Sequence, residues 1–136
     1  MATVDVMDET FLVVDRSELA ARFADPAQWP LLWPDLTLQV FTDRGDAGIR
    51  WSVTGAWTGS MEVWLEPVGD GVVLHYFLRI DPTTGALDAR SVPREALARQ
   101  RDAKRIAFAL KHELERGRRP GEPREAAVSA RETGRR

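Results

Sequence analysis

Apolar and polar residues alternate along four stretches of the chain. Leu36, Leu38 and Val40 alternate with Thr37 and Gln39; Ile49, Trp51 and Val53 with Arg50, Ser52 and Thr54; Met61, Val63 and Leu65 with Ser60, Glu62 and Glu66; Leu74, Tyr76, Leu78 and Ile80 with His75 and Arg79. A period of two sends successive side chains to opposite faces of a strand, so each stretch predicts a strand with one apolar face. The separators DRGDAG, TGAWTG and PVGDG have turn chemistry and hairpin lengths, which makes the four strands an antiparallel meander. A further strand is predicted ahead of them over residues 3–14, rich in Val and Thr and ending in FLVV.

Elsewhere the period is helical. Over residues 94–116, Ala96, Ala103, Ile106, Ala107, Leu110 and Leu114 fall on one stripe, while Leu97 and Phe108 lie off it. Gly117 supplies a stop, with arginines at the negative end of the helix dipole. A short helix over residues 17–24 starts at Asp15, with Glu18 three residues on as in a capping box, and buries Leu19, Ala20 and Phe23. Asp25-Pro26 ends it. The segment DPAQWPLLWPDL follows, in which Pro26, Pro30 and Pro34 break the chain and turn it towards the sheet. Trp29 and Trp33 are expected to close one mouth of the fold there. Residues 82–93 read as an irregular crossing. A sheet with one apolar face needs a cover, and the long helix is the only large one available. With Ala at three of the six stripe positions, the helix either lies very close to the sheet or leaves a cavity.

The order of strand, short helix, Trp-Pro segment, meander and long C-terminal helix resembles the START-like helix-grip (SRPBCC) superfamily, and within it the polyketide cyclase/dehydrase and lipid-transport group. DRSELAARFADPAQWPLLWP resembles the family's opening, GSMEVWLEPVGDGVVLHYFLRIDP its penultimate hairpin, and RQRDAKRIAFALKHELERG its final helix. The resemblance implies an α+β helix-grip fold, a curved antiparallel sheet wrapped on the long helix. About five strands are expected, against the family's usual seven. A missing hairpin shrinks or opens one end of the family's pocket. The resemblance further implies binding of a small apolar ligand, such as a lipid, isoprenoid or polyketide, between sheet and helix. Its lining would be Trp29, Trp33, Trp51, Val53, Met61, Val63, Tyr76, Leu78, Ile106 and Leu110. Two alternatives stand beside this one. The first is an interaction module with a reduced pocket, a homodimer through Trp64, Phe77 or Phe108. The second is a polyketide cyclase-like enzyme.

Composition narrows the field. The chain has 136 residues, 43% apolar and 29% charged, which suits one domain over residues 1–117 and a basic tail over 118–136. From Gly117 onward six arginines face three glutamates, so the tail carries +3 of a net −2 and the first 116 residues carry −5. An acidic body argues against nucleic acid as a partner. No run approaches the roughly 20 apolar residues of a membrane span. The opening MATVDVMDET has neither a basic head nor an apolar core, so a cytoplasmic protein is expected. Seventeen arginines against Lys104 and Lys111, with abundant alanine, suggest a GC-rich, actinobacterial-type source.

Candidate chemistry is sparse. There is no cysteine, hence no disulfide and no thiolate zinc site. No GxSxG, P-loop or dinucleotide fingerprint occurs. His75 alternates outward and His112 lies opposite the helix stripe, so no metal site and no cofactor are expected. No catalytic residue stands out. Tyr76, the only tyrosine, faces inward, where its hydroxyl needs a partner or a ligand. Trp64 faces outward beside His75 and Phe77, an exposed aromatic patch of the kind that marks contacts.

Overall fold

Five antiparallel strands in the order β1-β5-β4-β3-β2 make one open sheet, the meander joined on its last strand by the first strand of the chain. The computed structural model describes residues 2–115; the expected tail from residue 118 and the Gly117 stop lie outside the described residues. The elements are β1 (Val4–Leu12), α1 (Arg16–Ala24), the one-turn helix α2 (Trp29–Leu32), β2 (Thr37–Asp43), β3 (Gly48–Thr54), β4 (Trp57–Val68), β5 (Gly71–Pro82) and α3 (Ser91–Leu114). This is the five-stranded α+β helix-grip arrangement that the alternation and the resemblance predict. Helices α1 and α3 and the inner faces of the strands share one apolar core, built on Leu19, Phe23, Trp51, Met61, Leu78 and Ile106 among others.

Three local expectations are corrected. The Trp-Pro segment is helical, not irregular. Pro26 opens a short 3-10 turn (Pro26–Gln28), with the Asp25 carboxylate accepting from Ala27 N at 3.0 Å, and Pro30 sits in the first turn of α2. The first turn of a helix has no use for the N–H that proline lacks, so these prolines start helices and do not forbid them. For the same reason α3 begins at Ser91, with Pro93 inside its first turn. Asp88 caps that start by accepting from Arg90 N and Ser91 N, each at 2.9 Å. Third, Val40 is 43% exposed, while Leu36 is buried and Leu38 half-buried. Helix α3 packs on β1 and α1 on β3 and β4, and β2 lies at the far edge. The register there slips between Val40 and Thr42. One extra residue makes a bulge, and Phe41 lies under the Arg50 guanidinium, 5.3 Å from ring centroid to Cζ.

The edge of the sheet at β1 is sealed by α3. Gln100 Nε2 donates to the carbonyl of Met7 (3.0 Å), Lys104 Nζ to that of Glu9 (2.7 Å) and Lys111 Nζ to that of Phe11 (3.0 Å). Val13 N donates to Glu115 Oε2 at 3.1 Å. Alternate carbonyls of an edge strand point away from the sheet, unpaired, and here each meets a donor from the helix. From Gln100 to Lys104 four helical residues advance about 6 Å against about 6.7 Å for the two strand residues from Met7 to Glu9, and the long Lys111 side chain reaches back to Phe11. Ala103 and Ala107, both buried, allow the close approach.

Gly48 and Gly59 combine a positive φ with a neighbouring strand too close for any side chain. At Gly48 (φ +127°) a Cβ would stand 2.0 Å from the Val63 carbonyl oxygen, and at Gly59 (φ +149°) 2.0 Å from that of Arg79. Gly69 (φ +57°) faces open space. Urea unfolding of single alanine variants is expected to show losses above about 2 kcal/mol for Gly48→Ala and Gly59→Ala, against about 1 kcal/mol for Gly69→Ala.

Candidate functional site

Between the inner face of the sheet and α3 the space is nearly filled. A cavity of about 10 Å³ remains, lined by Asp8, Phe23, Trp33, Tyr76, Ile106 and Ala107 among others, room for about one water. The helix therefore lies close to the sheet. A second, open space of about 360 Å³ lies between the end of the Trp-Pro segment and the first half of α3, where Trp33, Tyr76, Asp35, Ala98, Arg99 and Asp102 face it. Trp33 and Tyr76 line both spaces and form the partition between them.

The partition is a stack of rings. Trp33 lies parallel to Tyr76 (centroids 6.5 Å apart, planes at 3°), near-parallel to Phe23 (6.3 Å) and tilted on Trp51 (5.5 Å). Trp29 meets Trp51 edge-on at 5.7 Å, and its indole Nε1–H donates to the Phe23 carbonyl at 2.8 Å. The segment read as the closure of one mouth thus contributes one ring to the partition and one beside it. The indole N–H groups of Trp33 and Trp51 are buried with no hydrogen-bond acceptor in good geometry among the described residues. The Trp33 N–H lies near the Tyr76 hydroxyl. Burial pushes the Tyr76 pKa above the ordinary tyrosine value, so its hydroxyl stays a proton donor.

The wall of the cleft is ionic. Arg99 is buried, its guanidinium making two bonds to the Asp35 carboxylate (2.9 and 2.5 Å) and one to Glu95 (3.0 Å), with Trp57 stacked against it at 5.4 Å. Burial opposes its charge, but the bonds to Asp35 and Glu95 more than offset this and its pKa rises. The same bond to Arg99 holds Asp35 below the usual carboxylate range. On the inner face, buried Asp8 accepts from Gln100 (3.1 Å) and Thr10 (3.2 Å) and pairs with Lys104 (3.2 Å).

Of the ten lining residues expected from the sequence, Trp33, Val63, Tyr76 and Ile106 meet at the small cavity. Trp51, Val53, Met61, Leu78 and Leu110 are buried in the core, and Trp29 is partly buried against it. Sequence reasoning passed over Asp8, Asp35 and Arg99. Arg99 carried one usable signal: it falls on the apolar stripe, three residues after Ala96 and four before Ala103. On the outer face His75 is stacked on Trp64 at 4.2 Å and near-parallel to Phe77 at 6.5 Å, as the alternation predicted. Its ring nitrogens lie 3.3 Å from Glu9 and 3.0 Å from Glu66. Phe108 stands apart from that patch, exposed on α3 beside Lys104, and His112 is exposed on the same helix. Among the described residues no helix is long and apolar enough to cross a membrane.

No protein-family model matches the sequence and no curated protein sequence is significantly similar to it. Solved structures share the fold. A START superfamily protein from Mycobacterium smegmatis superposes with a TM-score of 0.64 at 11% identity, over 82% of this chain and 97% of that one. The Aha1 dimer from Colwellia psychrerythraea gives 0.61 at 12% identity, over 85% and 99%. A protein from Deinococcus radiodurans gives 0.59 at 17% identity, over 82% and 100%.

Two measurements test the electrostatics of the site. In alkaline titration, the phenolate absorbance of Tyr76, the single tyrosine, is expected to be absent at about pH 10, where a free tyrosine is half ionised, and to rise only at higher pH or on unfolding. The unfolded chain releases that proton first, so this group makes stability fall as pH rises above about 10. Asp35→Asn is expected to cost about 1 kcal/mol at neutral pH, a modest value because solvent screens the half-exposed carboxylate. Because the folded carboxylate titrates low, its contribution is full above about pH 4 and is lost as pH falls through the folded value. Denaturation curves of the two proteins should converge in acid.

Proposed function

Given the START-like helix-grip fold, we propose that this chain binds a small, part-apolar molecule of the lipid, isoprenoid or polyketide kind in the cleft closed by Trp33 and Tyr76. The observation that carries this reading is the pairing of a cleft of about 360 Å³ with a partition whose two rings carry polar hydrogens towards a buried place. Ligand sites of this size are mostly apolar, with a few placed polar groups that set orientation. Here a flat apolar portion would rest on the stacked rings of Trp33 and Tyr76. An acceptor on the ligand, such as a carbonyl, would take the Tyr76 O–H, beside which the buried Trp33 N–H lies. Arg99 is outnumbered by Asp35 and Glu95, so the wall keeps a net negative charge and disfavours an anionic head group. The inner cavity, at about 10 Å³, takes no part of such a ligand beyond a methyl group while Trp33 holds its place. Tyr76 serves as an orienting donor; turnover forms no part of the reading.

Native mass spectrometry of the protein purified from its own host is expected to show a retained small molecule. Nuclear magnetic resonance titration with a lipid, isoprenoid and polyketide panel should shift the Trp33 indole N–H. Ala98→Trp fills the cleft from an exposed position and is expected to abolish binding. Tyr76→Phe, which removes one hydrogen bond, should weaken it about two- to tenfold. No retained mass and no shift across the panel, or unchanged binding by Ala98→Trp, overturns the proposal.

A further inference from the structure

The outer face of the sheet carries a groove that the cleft does not explain. It is open, about 300 Å³, and lined by Arg50, Ser60, Glu62, Trp64, Phe77 and Arg79. The register places these residues together: Arg50, Glu62 and Phe77 pair across β3, β4 and β5, and Ser60 pairs with Arg79. From the geometry of this groove we infer a second binding site, for a planar aromatic anion such as an aromatic carboxylate.

Three observations carry the inference. Trp64 is 39% exposed yet held from one side by His75, whose ring is stacked on it and whose nitrogens lie against Glu9 and Glu66. Its strand neighbour on the other side is Gly48, which sets no side chain beside it. A fixed, half-exposed indole is a stacking platform that loses little freedom when an aromatic ring lies on it.

Two guanidiniums of the groove are loosely held, although Glu62 and Glu66 flank Trp64 on its own strand. Arg50 lies over Phe41 and makes no ion pair among the described residues. Arg79, 64% exposed, reaches Asp5 only at 3.7 Å. Glu62 is the one carboxylate in the groove, and Arg44 Nη1 binds it at 2.6 Å. Two guanidiniums are therefore left to receive a carboxylate, an interaction that suits their forked geometry. The first 116 residues carry a net −5 with the groove included, so its two loosely held guanidiniums stand out on a surface that is acidic as a whole. Ser60, opposite Arg79 at the end of the groove away from Trp64, adds a hydroxyl donor.

The test uses the full chain and 2-naphthoate as the probe, with neutral 2-naphthalenemethanol as control, followed by nuclear magnetic resonance. The expected result is a saturable shift of the Trp64 indole N–H and the Ser60 amide with naphthoate, little shift with the alcohol, and affinity reduced about tenfold or more in Arg50→Gln/Arg79→Gln. Ala98→Trp should leave this binding unchanged, which separates it from the cleft. Equal binding of the alcohol, an unaffected double variant, or shifts at Trp33 in place of Trp64 overturns the inference. So does a shift of Trp64 that depends on protein concentration alone, since a second copy would then own the face.

Discussion

The placement of α3 against the open edge of β1 decides most of what this fold does. A helix that only covered an apolar face would be free to slide or stand off. Here Gln100, Lys104 and Lys111 are tied to alternate carbonyls of one strand, and the helix must follow that strand. Buried alanines then bring its axis close, and the space a helix-grip encloses shrinks to the size of a water molecule. What remains open is displaced sideways, to the gap between the first half of α3 and the Trp-Pro segment. The same tie leaves the inner face of β2 uncovered at Val40.

Within that frame, two groups of rings serve opposite ends. On the inner side, Phe23, Trp29, Trp33, Trp51 and Tyr76 interlock and hold the chain's turn from helix into sheet. On the outer side, Trp64, His75 and Phe77 stack in a row across two strands. The inner group is fastened by packing, with two indole N–H groups sacrificed to it. The outer group is fastened by carboxylates on the flanking strands. At this end of the five-stranded sheet, stacked tryptophan closes the space.

Much of this was legible in the sequence. Period-two alternation located the meander strands and oriented Trp51, Trp64, His75 and Tyr76 correctly, because each strand feels the apolar core on one side only. The Asp15 cap and the helix stripe were local and therefore visible. What escaped was nonlocal or hidden by a rule applied too broadly. Arg99 looks like a solvated arginine until Asp35, 64 residues away, supplies its counter-charge. Asp8 sits at an inward position of a strand, where Thr10 gives one hydrogen bond but the counter-charge comes from Lys104 on α3, more than 90 residues on. Proline was read as a breaker, although in a first turn it breaks nothing. The exposure of Val40 depends on where α3 lies, which no alternation in β2 reveals.

The seam between α3 and β1 also bears on the order in which the chain assembles. Among the described residues β1 finds its one strand partner in β5, across a separation of 76 residues at Val4 and Ile80. The bonds that seal its other edge reach 102 residues, from Val13 to Glu115. The meander of β2 to β5, by contrast, closes through short hairpins with little loop entropy to overcome. During synthesis β1 thus waits without a strand partner until the whole meander has emerged, and its other edge stays open until α3 follows.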